Sequence, residues 1–275
     1  MKIDHVTLAG SDLHRMERAF TDLGLKPEYG GLHSNGITHM GLLGFEDGSY
    51  IELISTLQPG QRAPWWGNAI AGNAGPCAWA VLSGNIHSDT ARLASAGVPV
   101  DGPHAMNRRR PDGRLVEWEL TYLGQHEPGA TLPFLIQDRS PREWRVQPTP
   151  GLREKGLTGL AAVVLAVRSI AAASDLFRRA FGWPAPMTQV DRVFGAALAH
   201  FPDTPVILAA PQGTGWLTAR LDQFGESPCA FLLKTTNLDE AIATFGLMDE
   251  TIWFGRRLAW FDPRKVDGAR LACTG

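Results

Sequence analysis

The spacing of apolar residues changes in a regular order over the first sixty positions. Residues 3–9 form an apolar stretch in which Val6 and Leu8 share one face and His5 and Thr7 the other, the two-residue period of a strand. Leu13, Met16, Ala19, Phe20 and Leu23 then recur at helical spacing. Ser11 or Asp12 caps that helix and Gly24 ends it. A short strand is expected near residues 27–29. Two longer ones, 37–45 and 49–55, are joined by a turn at Glu46-Asp47-Gly48. The predicted order is β-α-β-β-β.

The order recurs. An apolar run at 79–82 precedes a helix over 85–96, which Gly97 ends. RPDGRLVEWELTYLG reads as a hairpin turning at Pro111-Asp112-Gly113, and LPFLIQD at 132–138 closes the unit. Later, SPCAFLLK from Ser227 echoes GPCAWAVL from Gly75, and each precedes a helix opening at an asparagine, Asn237 and Asn85. VFGAALAHF and TPVILAA match THMGLLGF and SYIELIS. Four units result, at about 3–56, 75–138, 158–211 and 227–275, as internal repeats are found by self-similarity. The expected class is α+β, built from repeated βαβββ modules. Residues 1–140 make a first domain holding the candidate site, 141–157 a linker, and 158–275 a degenerate second domain.

Composition narrows the function classes. The chain is 44% hydrophobic and 20% charged, an ordinary balance for a packed core. A formal net charge of −2 removes any bulk electrostatic case for nucleic acid or an anionic membrane. Three cysteines do not make a disulfide scaffold or a zinc pairing. No apolar run approaches membrane-spanning length and no secretory leader pattern opens the chain, so a soluble, cytoplasmic protein is expected. Nucleophile elbows, phosphate-binding glycine loops and dinucleotide fingerprints are all missing.

DHVTLAGSDL at 4–13, followed by THMGLLGFEDGSYIELI at 38–54, resembles the glyoxalase-like branch of the vicinal oxygen chelate superfamily. RPDGRLVEW and LPFLIQD look like that branch's second module. The resemblance implies paired βαβββ modules closing into a cup-shaped, incomplete barrel. It also implies metal ligands on the first and last strands of a module, positions that His5 and Glu52 match.

Alternation supports the same two residues. If Ile51 and Leu53 pack on the core, then Tyr50, Glu52 and Ile54 face away from it. A carboxylate between two core residues is costly unless paired or metal-bound. An imidazole with a carboxylate suits zinc, iron, manganese or nickel. The second module is short of ligands: Ala78 stands near the His5 position and Gln137 near that of Glu52. His39 could complete a two-histidine, one-carboxylate set. The metal set is therefore His5, Glu52, His39 and Gln137, with Glu52 and His39 catalytic. Arg110, Trp65, Tyr50 and Trp79 are the expected substrate contacts.

Two function classes follow. The first is a divalent-metal-dependent isomerase, lyase or dioxygenase acting on a small oxygenated organic molecule. The second is a metal-free binding protein that sequesters a hydrophobic small molecule, favoured by Ala78 and the tryptophans. A weaker third reading is a scaffold whose second half makes homodimer contacts.

Overall fold

The computed structural model describes all 275 residues. The first four strands are β1 (Ile3–Ala9), β2 (Glu28–Leu32), β3 (Thr38–Gly44) and β4 (Tyr50–Thr56), with helix α1 (Leu13–Asp22) between the first two. This is the predicted β-α-β-β-β order. Asp12 caps α1 by accepting from the Arg15 amide. A short helix α2 (Gly67–Ala71) leads to β5 (Gly75–Leu82), α3 (Ile86–Ser95), β6 (Val100–Arg109), β7 (Leu115–Leu123) and β8 (Phe134–Asp138).

The eight strands form one sheet in the order β2-β3-β4-β1-β5-β8-β7-β6. Two four-stranded modules thus join where β1 pairs antiparallel with β5. Inside each module the first and last strands run parallel, β1 with β4 and β5 with β8. After a short helix α4 (Arg142–Arg145) the order repeats through β9 (Leu157–Ala166), α5 (Ile170–Phe181), β10 (Met187–Asp191), β11 (Ala196–His200), β12 (Val206–Pro211), α6 (Trp216–Phe224), β13 (Ser227–Thr235), α7 (Leu238–Phe245), β14 (Met248–Trp253), β15 (Arg256–Trp260) and β16 (Leu271–Thr274). The second sheet runs β10-β11-β12-β9-β13-β16-β15-β14, the same topology strand for strand. The fold is α+β, and the repeated modules are confirmed.

The alternation of each strand sends its apolar residues to two places. Val6, Leu8, Ile51 and Leu53 join Leu13, Met16 and Phe20 of α1, and this core continues into Phe177 of α5 and Phe231 of β13. It holds 44 buried residues from both sheets, so the helix-bearing faces of the two halves share one interior. Trp79 lies in it, fully buried beside Phe177 with ring centroids 6.5 Å apart. The opposite, concave face of the first sheet carries a separate group that includes Ile54, Ala78, Ala80, Phe134 and Ile136.

Residues 139–156 connect the sheets and are tied to the first. Thr149 donates its amide to the Gly44 carbonyl and accepts from the Gly44 amide, and a Cβ at Gly44 would collide with the Gln147 carbonyl. The expected linker is therefore a strap against β3. No helix is long and apolar enough to cross a membrane.

Candidate active site

The concave face of the first sheet encloses a cavity of about 80 Å³. That is room for roughly half a dozen waters, or a small organic molecule. Its wall is mostly apolar and aromatic, including Met40, Trp65, Trp118, Tyr122, Phe134 and Ile136. The polar groups include His5 of β1, Glu52 of β4 and His33 before β3, with Arg108 of β6 and Arg145 of α4.

Glu52 is at the centre of these groups. It is the register partner of Thr7 on the adjacent parallel strand, and the Thr7 hydroxyl donates to its Oε2 at 3.3 Å. His33 Nε2 lies 3.0 Å from Oε1, and His5 Nε2 lies 3.7 Å from Oε2. Burial pushes the Glu52 carboxyl up, but the hydrogen bond and charge of His33, with help from His5 and Arg108, bring it down to about 2. It is ionised at neutral pH. An ionised carboxylate only accepts, so His33 carries a proton on Nε2, and its Nδ1 lies 2.9 Å from the Thr38 hydroxyl. The Asn35-Gly36 turn fixes this arrangement, with Asn35 Oδ1 accepting from the amides of Ile37 and Thr38.

His5 is oriented from behind. Its ring stacks on Tyr50, its cross-strand neighbour, with centroids 4.6 Å apart. Its Nδ1 lies 2.6 Å from Asp4 Oδ1. Adjacent residues of a regular strand point oppositely, but the β1–β5 register shifts between Ile3 and His5, and this irregularity lets Asp4 reach its neighbour's ring. Burial would raise the Asp4 carboxyl, yet Arg145 and the His5 hydrogen bond hold it well below the usual carboxylate range. Asp4 therefore accepts from Nδ1–H, and this fixes the ring with Nε2 on the cavity side, 3.7 Å from Glu52. Arg145, from the strap, donates to Asp4 and Asp138 and, at 2.8 Å, to the Tyr50 hydroxyl. Arg142 pairs with the same two carboxylates.

Of the residues singled out from the sequence, His5, Tyr50, Glu52 and Trp65 all line this cavity. His39 does not. Met40 and Leu42 face the cup from β3, so His39 points to the other side, where its ring meets Tyr29. Burial and the nearby His14 and His33 lower its pKa there. Gln137 also faces away from the cup: it accepts from the Ile86 amide and donates to the Gly84 carbonyl at the start of α3. Trp79 is a core residue, its indole N–H bonded to the Thr131 carbonyl. Arg110 sits past the end of β6, bonded to Trp144 and Glu28, and Arg108 lines the cup instead. Sequence reasoning missed Asp4, His33 and Arg145, and from the run Arg108-Arg109-Arg110 it favoured Arg110 where Arg108 lines the cup. The Met106/Arg108 alternation was the available signal for Arg108, and the Asn-Gly turn beside it for His33.

The donor set can be tested against the divalent metal that the resemblance implies. A ligand imidazole must offer a lone pair, and His33 Nε2–H is committed to Glu52, which leaves at most His5. The opposite module contributes Ala78, Ala80, Phe134 and Ile136, none of them a donor. No group of three or more His, Cys, Asp or Glu side chains is arranged to hold an ion. The residues as placed do not fit a metal cage. The corresponding cup of the second sheet is occupied by its own rings, with Phe194 against Trp216, Trp253 and Trp260.

The architecture and this cup define a protein of the glyoxalase-like class. The chain belongs to the family described as the glyoxalase-like domain, whose model matches residues 3–181. Among solved structures it is similar to a hypothetical protein from Staphylococcus aureus, at 16% identity and a TM-score of 0.63, covering 99% of this chain and 98% of that one. It is likewise similar to a triple mutant of 4-hydroxymandelate synthase from Streptomyces coelicolor, at 12% identity and a TM-score of 0.63, covering 100% and 92%. At these identities the likeness shows the fold alone. Comparison with curated proteins gives no match.

Proposed function

We propose that the chain is an enzyme that moves a proton on a small, largely apolar carbonyl compound held in the first cup. One observation carries this reading: the His5 ring, held by Asp4, lines an apolar cavity with its Nε2 3.7 Å from an ionised Glu52. His5 Nε2 takes a proton from the carbon next to the carbonyl. The C–H electrons stay on the substrate as an enolate, and the proton resides on the imidazole. Asp4 and the Glu52 carboxylate stabilise the resulting imidazolium. Return of the proton to a different atom, or to the other face, completes an isomerisation. His33 and Thr7 hold Glu52 in place and keep it charged. No step needs the divalent ion expected from the sequence.

Hydrogen–deuterium exchange into a panel of small ketones and aldehydes, followed by NMR in D₂O, tests the proposal. The wild type should accelerate exchange for at least one member, and His5→Gln should slow it by roughly 10²–10⁴-fold, the usual worth of a positioned base. Exchange equal in both proteins would remove His5 from the chemistry. Activity that a chelator abolishes and zinc restores would return the site to metal chemistry.

The apolar opposite wall favours a second reading, a metal-free protein that sequesters a hydrophobic molecule. It predicts saturable tryptophan quenching with no exchange on any compound bound.

A further inference from the structure

The cup contains one buried guanidinium that makes no direct ion pair with a carboxylate. Arg108, on β6, is 5% exposed. Its guanidinium donates to the Gly30 carbonyl and, at 2.6 Å, to the Arg145 carbonyl. A guanidinium has five N–H groups, so donor capacity is left over. The arginines of α4 are satisfied: Arg145 and Arg142 are both paired with Asp4 and Asp138. Glu52 lines the same cavity, yet it is taken up by His33 and Thr7, and no ion pair joins it to Arg108. Glu52 acts on this guanidinium through its charge but not through a hydrogen bond, so the direct partners of Arg108 are carbonyl dipoles alone. A carboxylate is the planar, fork-shaped partner that completes it.

The rest of the wall limits the ligand further. Met106, Trp118, Leu120 and Phe134 supply apolar surface and no second free cation. A dianion such as a phosphate ester would leave excess negative charge beside Glu52. The volume of about 80 Å³ keeps the ligand small. We infer that the cup takes a small apolar monocarboxylate, its carboxylate on Arg108 and its hydrocarbon part against the aromatic wall. This rests on the cup being the ligand site and is independent of the proton-transfer step.

Benzoate and isovalerate, with benzamide and isovaleramide as neutral counterparts of the same shape, are titrated into the intact chain. Tryptophan emission reports binding, since Trp65, Trp66 and Trp118 line the cavity. Each carboxylate should bind at least about tenfold more tightly than its amide, the scale of one charge-assisted contact. R108M should shrink that preference to about threefold or less, and R108K, which keeps the charge but not the fork, should fall between. Equal affinity for acid and amide in the wild type overturns the inference. So does a preference that survives in R108M, or no saturable binding by any of the four. His5→Gln separates the two proposals. Carboxylate preference retained where the wild type shows no exchange chemistry sinks the enzymatic reading and leaves this one standing.

Discussion

Glu52 is buried and yet ionised, and that combination has a pH signature. Its carboxyl is lowered from 4.5 to about 2, so the folded state holds its proton less tightly than the unfolded chain. A depressed acid contributes stability that is present above the unfolded value and is lost as pH falls toward the folded one. Glu52→Gln should therefore narrow the difference in urea stability between pH 6 and pH 3. An unchanged difference would mean the carboxylate is not coupled to folding. At this scale the sequence was legible where a strand is regular. His5 and Glu52 were placed in one cup by two-residue alternation, and both line it. Asp4 was not legible, because a break in register puts it beside His5 against the alternation. His39 is the second imidazole the strand pattern offers, whereas His33 reaches Glu52 from a turn whose path no periodicity describes.

Among the elements, the segment between the sheets departs most from its sequence reading. A stretch rich in proline and arginine resembles a linker, but here α4 delivers Arg145 into the wall of the cup with only 3% of its side chain exposed. It holds Asp4, Tyr50 and Asp138 together, and Asp4 in turn holds His5. Arg145→Met should cost about 3 kcal/mol, since removing one partner leaves the other charges buried and less well paired. Denaturant titration checks the size. If the strap is only a tether, the variant will be as stable as the wild type. The strands themselves were easier to read: β1 spans Ile3–Ala9, where the apolar stretch was marked, and Asp12 caps α1 as one of two candidates. The helices α2 and α6 lie in stretches to which no helix had been assigned.

In the whole molecule, one interior joins the two halves. Trp79 of the first sheet packs near Phe177 of the second half within it. Trp79→Ala should destabilise the chain by about 3–5 kcal/mol. Both halves should melt in one calorimetric transition before and after the change, because neither keeps a closed core alone. Two separated transitions in the wild type would show the halves to be independent. The sequence by itself determined the four modules, their strand order and the facing of His5 and Glu52, because these follow from local period and from repetition. Only the tertiary structure decided that one cup is open while the other is packed with aromatic rings, and that His33, Arg108 and Arg145 complete the open one. Those choices depend on contacts between segments far apart in the chain, which strand and helix periods do not encode.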